Sequence, residues 1–551
     1  MNELGLCEIT LGGFRTFEQL TRIPIGRLTF LFGPNSSGKS SLEDGIRLLD
    51  ELCDTGDLLE LGQGPSASFD SDYVRRRSRL QRVWRRTGDT PAESYVDLVQ
   101  IGASTLIDGW DALTEDVTHY DLGTYNPPSP GLHRLELSVR FRNRDHGSHR
   151  SKGVDFVLRD IAFVLDGVPY LEFADSAEAA LNFGHPLLSC LPIPEACRLA
   201  ERSRPGRVST TAGWLRFRGG MSYDDKKRLD QRIYQETWRW DDVEGLGPEE
   251  SWPPPPEILN GLACFAEVFD RILQNSCRVM GLALKPHTVP ASRMTPKPHE
   301  LVIMFGEDAG FQITVHGDPQ FKRLADSFRD PPITEQATQT ERLFQTVNRM
   351  LTGHLFREYG YQLTAEFREV SGRQQFSGRR KLGSDSTAES DRGDGALLIA
   401  IHLEDHYGRQ HEFTEVGSGL GYVLPVLAAA CDRSLPVVVL QQPELHLHPA
   451  LQAQLGDVFV ELSRGNRRLI IETHSEHLLL RVLKRLRQSG NATGIDPELH
   501  IEPDQVAILY FEPQPSGTTK VKRLRVSADG EFLDRWPRGF FTERDEELFD
   551  E

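Results

Sequence analysis

The sequence predicts an α/β fold of the P-loop NTPase type, on three observations. The apolar run Leu28-Thr29-Phe30-Leu31-Phe32 reads as a buried strand, and it feeds Gly33-Pro34-Asn35-Ser36-Ser37-Gly38-Lys39-Ser40, a G-x-x-x-x-G-K-S pattern. Residues 41–49, beginning at Ser41, continue with helical spacing. Far downstream, 435–440 and 468–471 are continuous apolar runs, each ending in polar residues, as central parallel strands with ligand groups at their carboxyl tips should be.

The loop carries the chemistry. Gly33 and Gly38 let the backbone turn so that successive N–H groups face phosphate oxygens, and the following helix adds its positive end. Lys39 has the reach for the β- and γ-phosphates, and the Ser40 hydroxyl suits Mg²⁺. The plainer alternative is a glycine-rich βα turn that matches by chance. Loop, lysine, hydroxyl and flanking elements all agree against it.

Composition sets outer bounds. The chain has 551 residues, and at ~150 residues per domain that is room for several domains. No stretch has the uncharged apolar length of a membrane span, and the first residues lack the basic and apolar regions of a secretory signal. Seven scattered cysteines without C-x-x-C spacing suit a reducing cytosol and argue against a disulfide frame or zinc ribbon. The net charge of −18 disfavours blanket nucleic-acid binding but leaves local basic patches open.

In chain order, 9–17 reads as a first strand and turn, and 27–32 as the strand feeding the loop; helix then continues to about 60. Arg75, Arg76, Arg77, Arg79, Arg82, Arg85 and Arg86, with Tyr73 and Trp84 between them, fit either DNA or RNA contact or a solvated helix face. Residues 132–140 and 154–170 suggest a small antiparallel sheet. Residues 225–240 and 257–284 suggest a helical insert, joined by Pro253-Pro254-Pro255-Pro256. A hairpin is expected over 301–305 and 311–315, a helix over 335–357, and a mobile loop over 371–395. The Gly/Ser turn Gly417-Ser418-Gly419 opens a helix, a second anion-binding terminus. Pro449 stands near the first turn of the next helix and Gly465 just past its end.

The set GPNSSGKS, EVGSGLGYVLPVL, VVVLQQPELHLHP and IIETHSEHLLLR resembles the ABC-type ATPase heads of the RecF/SMC class. Within that class it is most similar to stand-alone bacterial AAA ATPases related to the OLD family, several of which act in antiphage defence beside a nuclease or toxin partner. The likeness covers about residues 1–60 and 396–551, so the expected organisation is a head made from both chain ends, with a β-subdomain and helical insert over 61–395. The resemblance implies ATP and Mg²⁺ as ligands. It implies a triphosphate cradle over Gly33, Pro34, Asn35, Ser36, Ser37, Gly38, Lys39, Ser40 and Ser41, and a signature turn at Gly417, Ser418 and Gly419 that touches nucleotide on a second protomer. Gln441, Gln442 and Glu444 take the Walker B end, with Gln441 on the metal side. His446–Pro449 stands as the D-loop, His474 as the switch histidine, and Gln100 as a candidate metal-touching glutamine.

One departure matters. Such strands usually end Asp-Glu before the proline, and this one ends Gln441-Gln442. An amide holds a water but cannot take its proton. Glu444, one residue past the proline, is where OLD-like relatives often keep a carboxylate, and it stands as the replacement base. The alternatives are a nucleotide clamp that barely hydrolyses, or a sequence altered to trap ATP. His446, His448, His474 and His477 also raise a transition-metal site, but D-loop and switch positions explain them. A TOPRIM nuclease is not expected, since only a short tail without an acidic D-x-D strand follows His474; Asp70-Ser71-Asp72 precedes the arginine run instead. The expected activity is an ATP-driven dimerising switch acting on an effector protein. A non-hydrolysing scaffold and a RecF-type DNA-maintenance ATPase are the alternatives, the latter with basic stretches 481–487 and 520–525 as further DNA contacts.

Overall fold

The computed structural model describes residues 5–54, 98–115, 131–144, 155–174, 178–189, 208–211, 214–218, 256–294, 335–371, 374–380, 396–413, 415–490 and 496–537. The arginine run at 75–86, Asp70-Ser71-Asp72, the helix expected over 225–240 and the hairpin expected over 301–315 lie outside the described residues. Among the described residues no helix is long and apolar enough to cross a membrane.

The chain divides into two compact units, which do not follow the sequence divisions at 60/61 and 395/396. One comprises Met1–Ile25, Pro34–Lys285 and Phe511–Val521; the other comprises Gly26–Gly33, Pro286–Tyr510 and Lys522–Glu551.

The first unit is built on a nine-stranded antiparallel sheet. Its order in space is β2 (Thr21–Pro24), β1 (Gly5–Gly12), β4 (Leu98–Asp108), β5 (Leu132–Arg144), β6 (Asp155–Leu165), β7 (Val168–Ala174), β8 (Glu178–Asn182), β10 (Trp214–Arg218) and β9 (Val208–Thr211). The sequence pattern anticipates β1 in part and the middle of this sheet. Short strands such as β8, EAALN, have weak β propensity and owe their conformation to pairing on both sides. Helices α1 (Lys39–Asp54) and α2 (Pro256–Leu284) pack on each other and on β1 and β4. Gly45 lets α1 come down on Leu11, because a Cβ there would meet Leu11 Cδ2 at 2.7 Å. The buried Tyr170 hydroxyl bonds Ser276 Oγ of α2 at 2.7 Å, and burial holds its pKa well above the ordinary phenol value.

The second unit centres on a six-stranded sheet in the order β11 (Pro286–Val289), β16 (Val437–Gln441), β17 (Arg468–Glu472), β3 (Leu28–Phe32), β18 (Val506–Pro513) and β19 (Thr519–Leu524). The first five strands are parallel. Both chain ends therefore supply strands to one sheet. VVVL, LII and LTFLF are buried on both faces, as helix-covered parallel strands must be. The covering helices are α3 (Glu335–Met350), α4 (Ser418–Cys431), α5 (Pro449–Leu462) and α6 (Glu476–Gly490). Their core joins Phe30, Val438, Leu440 and Ile471 to Phe344, Leu424, Phe459 and Leu479. The helix expected over 335–357 ends as α3, and a wider π turn, Leu351–Leu355, follows it.

A four-stranded sheet, β13 (Gln374–Arg380), β12 (Gln362–Ser371), β14 (Ala396–Glu404) and β15 (Gln410–His411), completes this unit. Over Gln374–Arg380 the expected mobile loop is corrected to a strand, while 381–395 lie outside the described residues. Residues Gln374–Arg380 pair in register with Ala365–Ser371, because an edge strand can be polar and still use its backbone.

Candidate functional site

The phosphate loop leaves β3 at Gly33. Its backbone is left-handed at three places: Gly33 at φ 139°, Ser36 at 64° and Gly38 at 98°. Alternation of this kind turns successive N–H groups to one side, the geometry of an anion nest. Gly38 is fixed twice over, since a Cβ there would also lie 2.5 Å from Thr16 Oγ1 and 2.8 Å from Thr519 Oγ1. The Thr519 hydroxyl donates to the Ser37 carbonyl at 2.7 Å, so the tail strand braces the loop. The Lys39 ammonium, only 5% exposed, donates to the Pro34 carbonyl at 2.9 Å across the loop.

Pro34, Asn35, Ser36 and Ser40 are exposed, whereas Ser41 is buried in the first turn of α1. Among the described residues, Ser37 Oγ and Thr16 Oγ1 are buried without a hydrogen-bond partner. Polar atoms left over beside a bent glycine loop fit a ligand rich in acceptor oxygens. The residues present therefore fit a nucleotide triphosphate.

In the second unit, the parallel register sets Gln441 opposite Glu472, and Glu472 opposite Leu31 of β3. The tips of β16, β17 and β3 thus share one edge of the sheet. Gln441 ends β16, and its Oε1 accepts the Ala291 N–H at 3.3 Å. Gln442 turns the chain at φ 45° and donates its N–H to the Glu472 carbonyl at 2.7 Å.

Glu444 is buried, 7% exposed, on the turn that follows. Its Oε1 accepts the His474 backbone N–H at 2.8 Å, and its Oε2 is buried without a hydrogen-bond partner among the described residues. Burial raises its pKa above the ordinary carboxyl value, while the His474 amide opposes that shift. His474 itself is exposed at the tip of β17.

The turn continues into His446, which is exposed at φ 64° with its ring 4.3 Å from that of Tyr422. His448 caps α5: its Nδ1 accepts the Ala450 N–H at 3.3 Å, ahead of Pro449 in the first turn. Helix α4 begins at Ser418 behind Gly417; both are exposed, and Gly417 makes no side-chain cap. Gly419 is where α4 meets the histidine turn, because a Cβ there would sit 2.7 Å from the His446 carbonyl oxygen.

Gln100 is placed differently from the loop position its proposed role implies. It lies within β4, between Gly12 and Arg140, and its amide donates to Ser138 Oγ at 3.1 Å. That bond uses the amide nitrogen, and the metal role stays an expectation of the resemblance.

The basic stretch on α6 is also largely spoken for. Arg481 and Arg485 both bond the buried Asp457 of α5, with N–O distances of 2.7 Å, and Arg487 donates to the Asp529 carbonyl at 2.9 Å. Arg525 pairs with Asp534 at 2.8 Å. These arginines brace helices and tail, which weakens them as DNA contacts.

Arg293 is the residue the sequence does not announce. It follows β11 in a short Pro-rich loop without motif context. Its guanidinium is 7% exposed and donates to carbonyls of Tyr422, Gln441 and Gln442, at 2.8, 2.9 and 2.9 Å. Burial lowers its pKa, and the nearby Glu444 carboxylate opposes that.

Residues 308–481 match a family described as "AAA domain, putative AbiEii toxin, Type IV TA system", and residues 501–550 match a "Protein of unknown function (DUF3696)". No curated protein matches. Among solved structures, the SMC head domain from Thermotoga maritima aligns with a TM-score of 0.35 and 9% identity, covering 96% of this chain and 100% of that one. A second is the Smc head domain with an extended coiled coil, bound to the C-terminal domain of ScpA, derived from Pyrococcus furiosus: TM-score 0.35, 12% identity, 95% of this chain and 96% of that one. A SmcHead bound to the C-winged helix domain of ScpA gives 0.40 and 10%, covering 95% of this chain and 98% of that one. The chain is a mixed α/β protein, with one parallel-stranded sheet to which both chain ends contribute and an AAA-domain match over residues 308–481.

Proposed function

We propose that this protein is a slowly hydrolysing ATP-dependent switch whose heads pair around nucleotide to control an effector. The observation that carries the reading is the α4 terminus. Gly417 and Ser418 are exposed and uncapped, and Gly419 joins that terminus to the His446 turn that follows Glu444. An exposed helix end of this kind attracts an anion, and with the motif resemblance that supports nucleotide held by a sister molecule as its ligand.

In this reading, the loop from Gly33 to Ser41 holds the triphosphate through backbone N–H groups and Lys39. Ser40 would hold Mg²⁺, which when bound neutralises phosphate charge. Gly417, Ser418 and Gly419 meet the nucleotide held by a sister molecule. Gln442 orients a water, Glu444 takes its proton, and His474 reports the occupied state. Burial raises the Glu444 pKa, which makes it a stronger base than an exposed carboxylate.

The family matched over 308–481 is described through a toxin and a toxin–antitoxin system, which supports an effector partner of nuclease or toxin type. The motif resemblance to OLD-related ATPases supports a role in antiphage defence. A second reading, a nucleotide-locked scaffold, is favoured by the Gln441 amide oxygen, which is engaged by the Ala291 N–H.

Single-turnover hydrolysis of the parent, Gln441→Glu, Gln442→Glu and Glu444→Ala separates the two. The switch predicts measurable turnover in the parent that Glu444→Ala abolishes. Undetectable parent turnover, restored by Gln442→Glu, would establish the scaffold instead.

A further inference from the structure

We infer that Arg293 is a positioning residue that ties the Gln441–Gln442 turn to the first turns of α4, so that the strand tip and the exposed signature terminus move as one body. The inference rests on the switch reading for its functional consequence, though not for its geometry.

One buried guanidinium joins three segments of the second unit. Nε donates to the Tyr422 carbonyl on α4 at 2.8 Å. Nη1 donates to the Gln441 carbonyl at 2.9 Å and to the Pro290 carbonyl at 3.2 Å. Nη2 donates to the Gln442 carbonyl at 2.9 Å. The planar fork of arginine satisfies several acceptors at once; a lysine ammonium at this depth cannot reproduce that spread.

The acceptors are informative. Gln442 has φ 45°, a left-handed conformation that a glutamine holds only where its surroundings impose it. Its carbonyl also accepts the Leu445 N–H at 3.2 Å, so the arginine grips the turn that carries Glu444. The Ala291 N–H on Gln441 Oε1 adds a further tie from the same loop. On the other side, the Tyr422 ring lies 4.3 Å from that of His446, tilted by 50°, so the residue whose carbonyl Arg293 holds also touches the turn that follows Glu444. A cation buried on this scale is costly unless every donor has work, and here its donors are spent on main-chain carbonyls of two catalytically placed segments. Removing it frees the turn and α4 to shift independently.

The test uses the full chain and two variants, Arg293→Met and Arg293→Lys. The first arm is hydrogen–deuterium exchange without nucleotide. The expected result is exchange at Leu445 and in the first turns of α4 that is about tenfold faster in both variants, as loss of one charge-assisted bond predicts, with α6 unchanged. The second arm compares binding of a fluorescent ATP analogue with single-turnover hydrolysis. Binding should stay within about threefold of the parent while turnover falls about tenfold or more, a split expected of a residue that positions the reacting groups without touching nucleotide.

Exchange confined to 290–294, or parent-like turnover in both variants, overturns the inference. So does loss of cooperative melting in Arg293→Lys, which would make the residue a support of the fold rather than of the turn. If the parent itself fails to bind the analogue, the switch reading falls, while the exchange arm still judges Arg293.

Discussion

The Glu444 carboxylate accepts the backbone N–H of His474 at 2.8 Å, joining the turn after β16 to the tip of β17. The second carboxylate oxygen is buried without a hydrogen-bond partner among the described residues. We propose that this second oxygen is the one that takes the proton of the attacking water. Glu444→Gln keeps the acceptor for His474 but loses the proton acceptor. Single-turnover hydrolysis should fall about 100-fold or more, with nucleotide affinity little changed. Unchanged turnover would remove Glu444 as the base.

The same substitution has a pH signature. The Glu444 pKa is raised above its ordinary 4.5 by burial, so folding favours its protonated form. The stability this supplies is complete below the unfolded value and is lost as pH rises through the folded one. Urea denaturation of parent and Glu444→Gln from acid to neutral pH should show the parent losing ground to the variant above pH 4.5. A parent that gains on the variant with rising pH would contradict the assignment.

Two glycines separate binding from pairing. Gly38→Ala places a Cβ against Thr16 and Thr519 at φ 98°. It should cost on the order of 1–3 kcal/mol in stability and abolish ATP binding. Gly419→Ala presses on the His446 carbonyl instead. It should leave ATP binding intact and weaken pairing of the heads. Calorimetric titration and mass measurement check the two effects; pairing unaffected by Gly419→Ala would dissociate α4 from the interface.

Asp457, buried on α5, is the shared anion for Arg481 and Arg485. Asp457→Ala leaves two partly buried cations without it and should cost about 3 kcal/mol in chemical denaturation. A loss under about 1 kcal/mol would mark the pairs as exposed ornaments of the surface, and would reopen α6 as a nucleic-acid face.

The elements built on buried apolar runs were legible in the sequence. VVVL, LII and LTFLF admit few other readings, and Pro449 and Gly465 mark the neighbourhood of α5, Gly465 with its φ of 85°. The strand–loop–helix pattern located Gly33–Ser40 for the same reason: its glycines answer to local backbone geometry. What escaped depends on distant partners. Strand β13 is held by its register with β12 and carries no hydrophobic signature, and β8 is a strand only because β7 and β10 flank it. The strand setting of Gln100 depends on pairing with β1 and β5, which no local pattern announces. Arg293 had no local signal, since its meaning lies in carbonyls from residues about 130 and 150 positions downstream.

The central claim is that the Lys39 loop holds ATP and that a sister molecule completes the site. Sedimentation velocity of the parent and Lys39→Ala, each with and without ATP·Mg²⁺, tests it most directly. The account predicts that ATP shifts the parent from about 62.1 kDa to about twice that mass, while Lys39→Ala, binding ATP at least about tenfold more weakly, stays at the smaller mass. A parent whose mass ignores ATP, or a Lys39→Ala variant that pairs as readily as the parent, would contradict it.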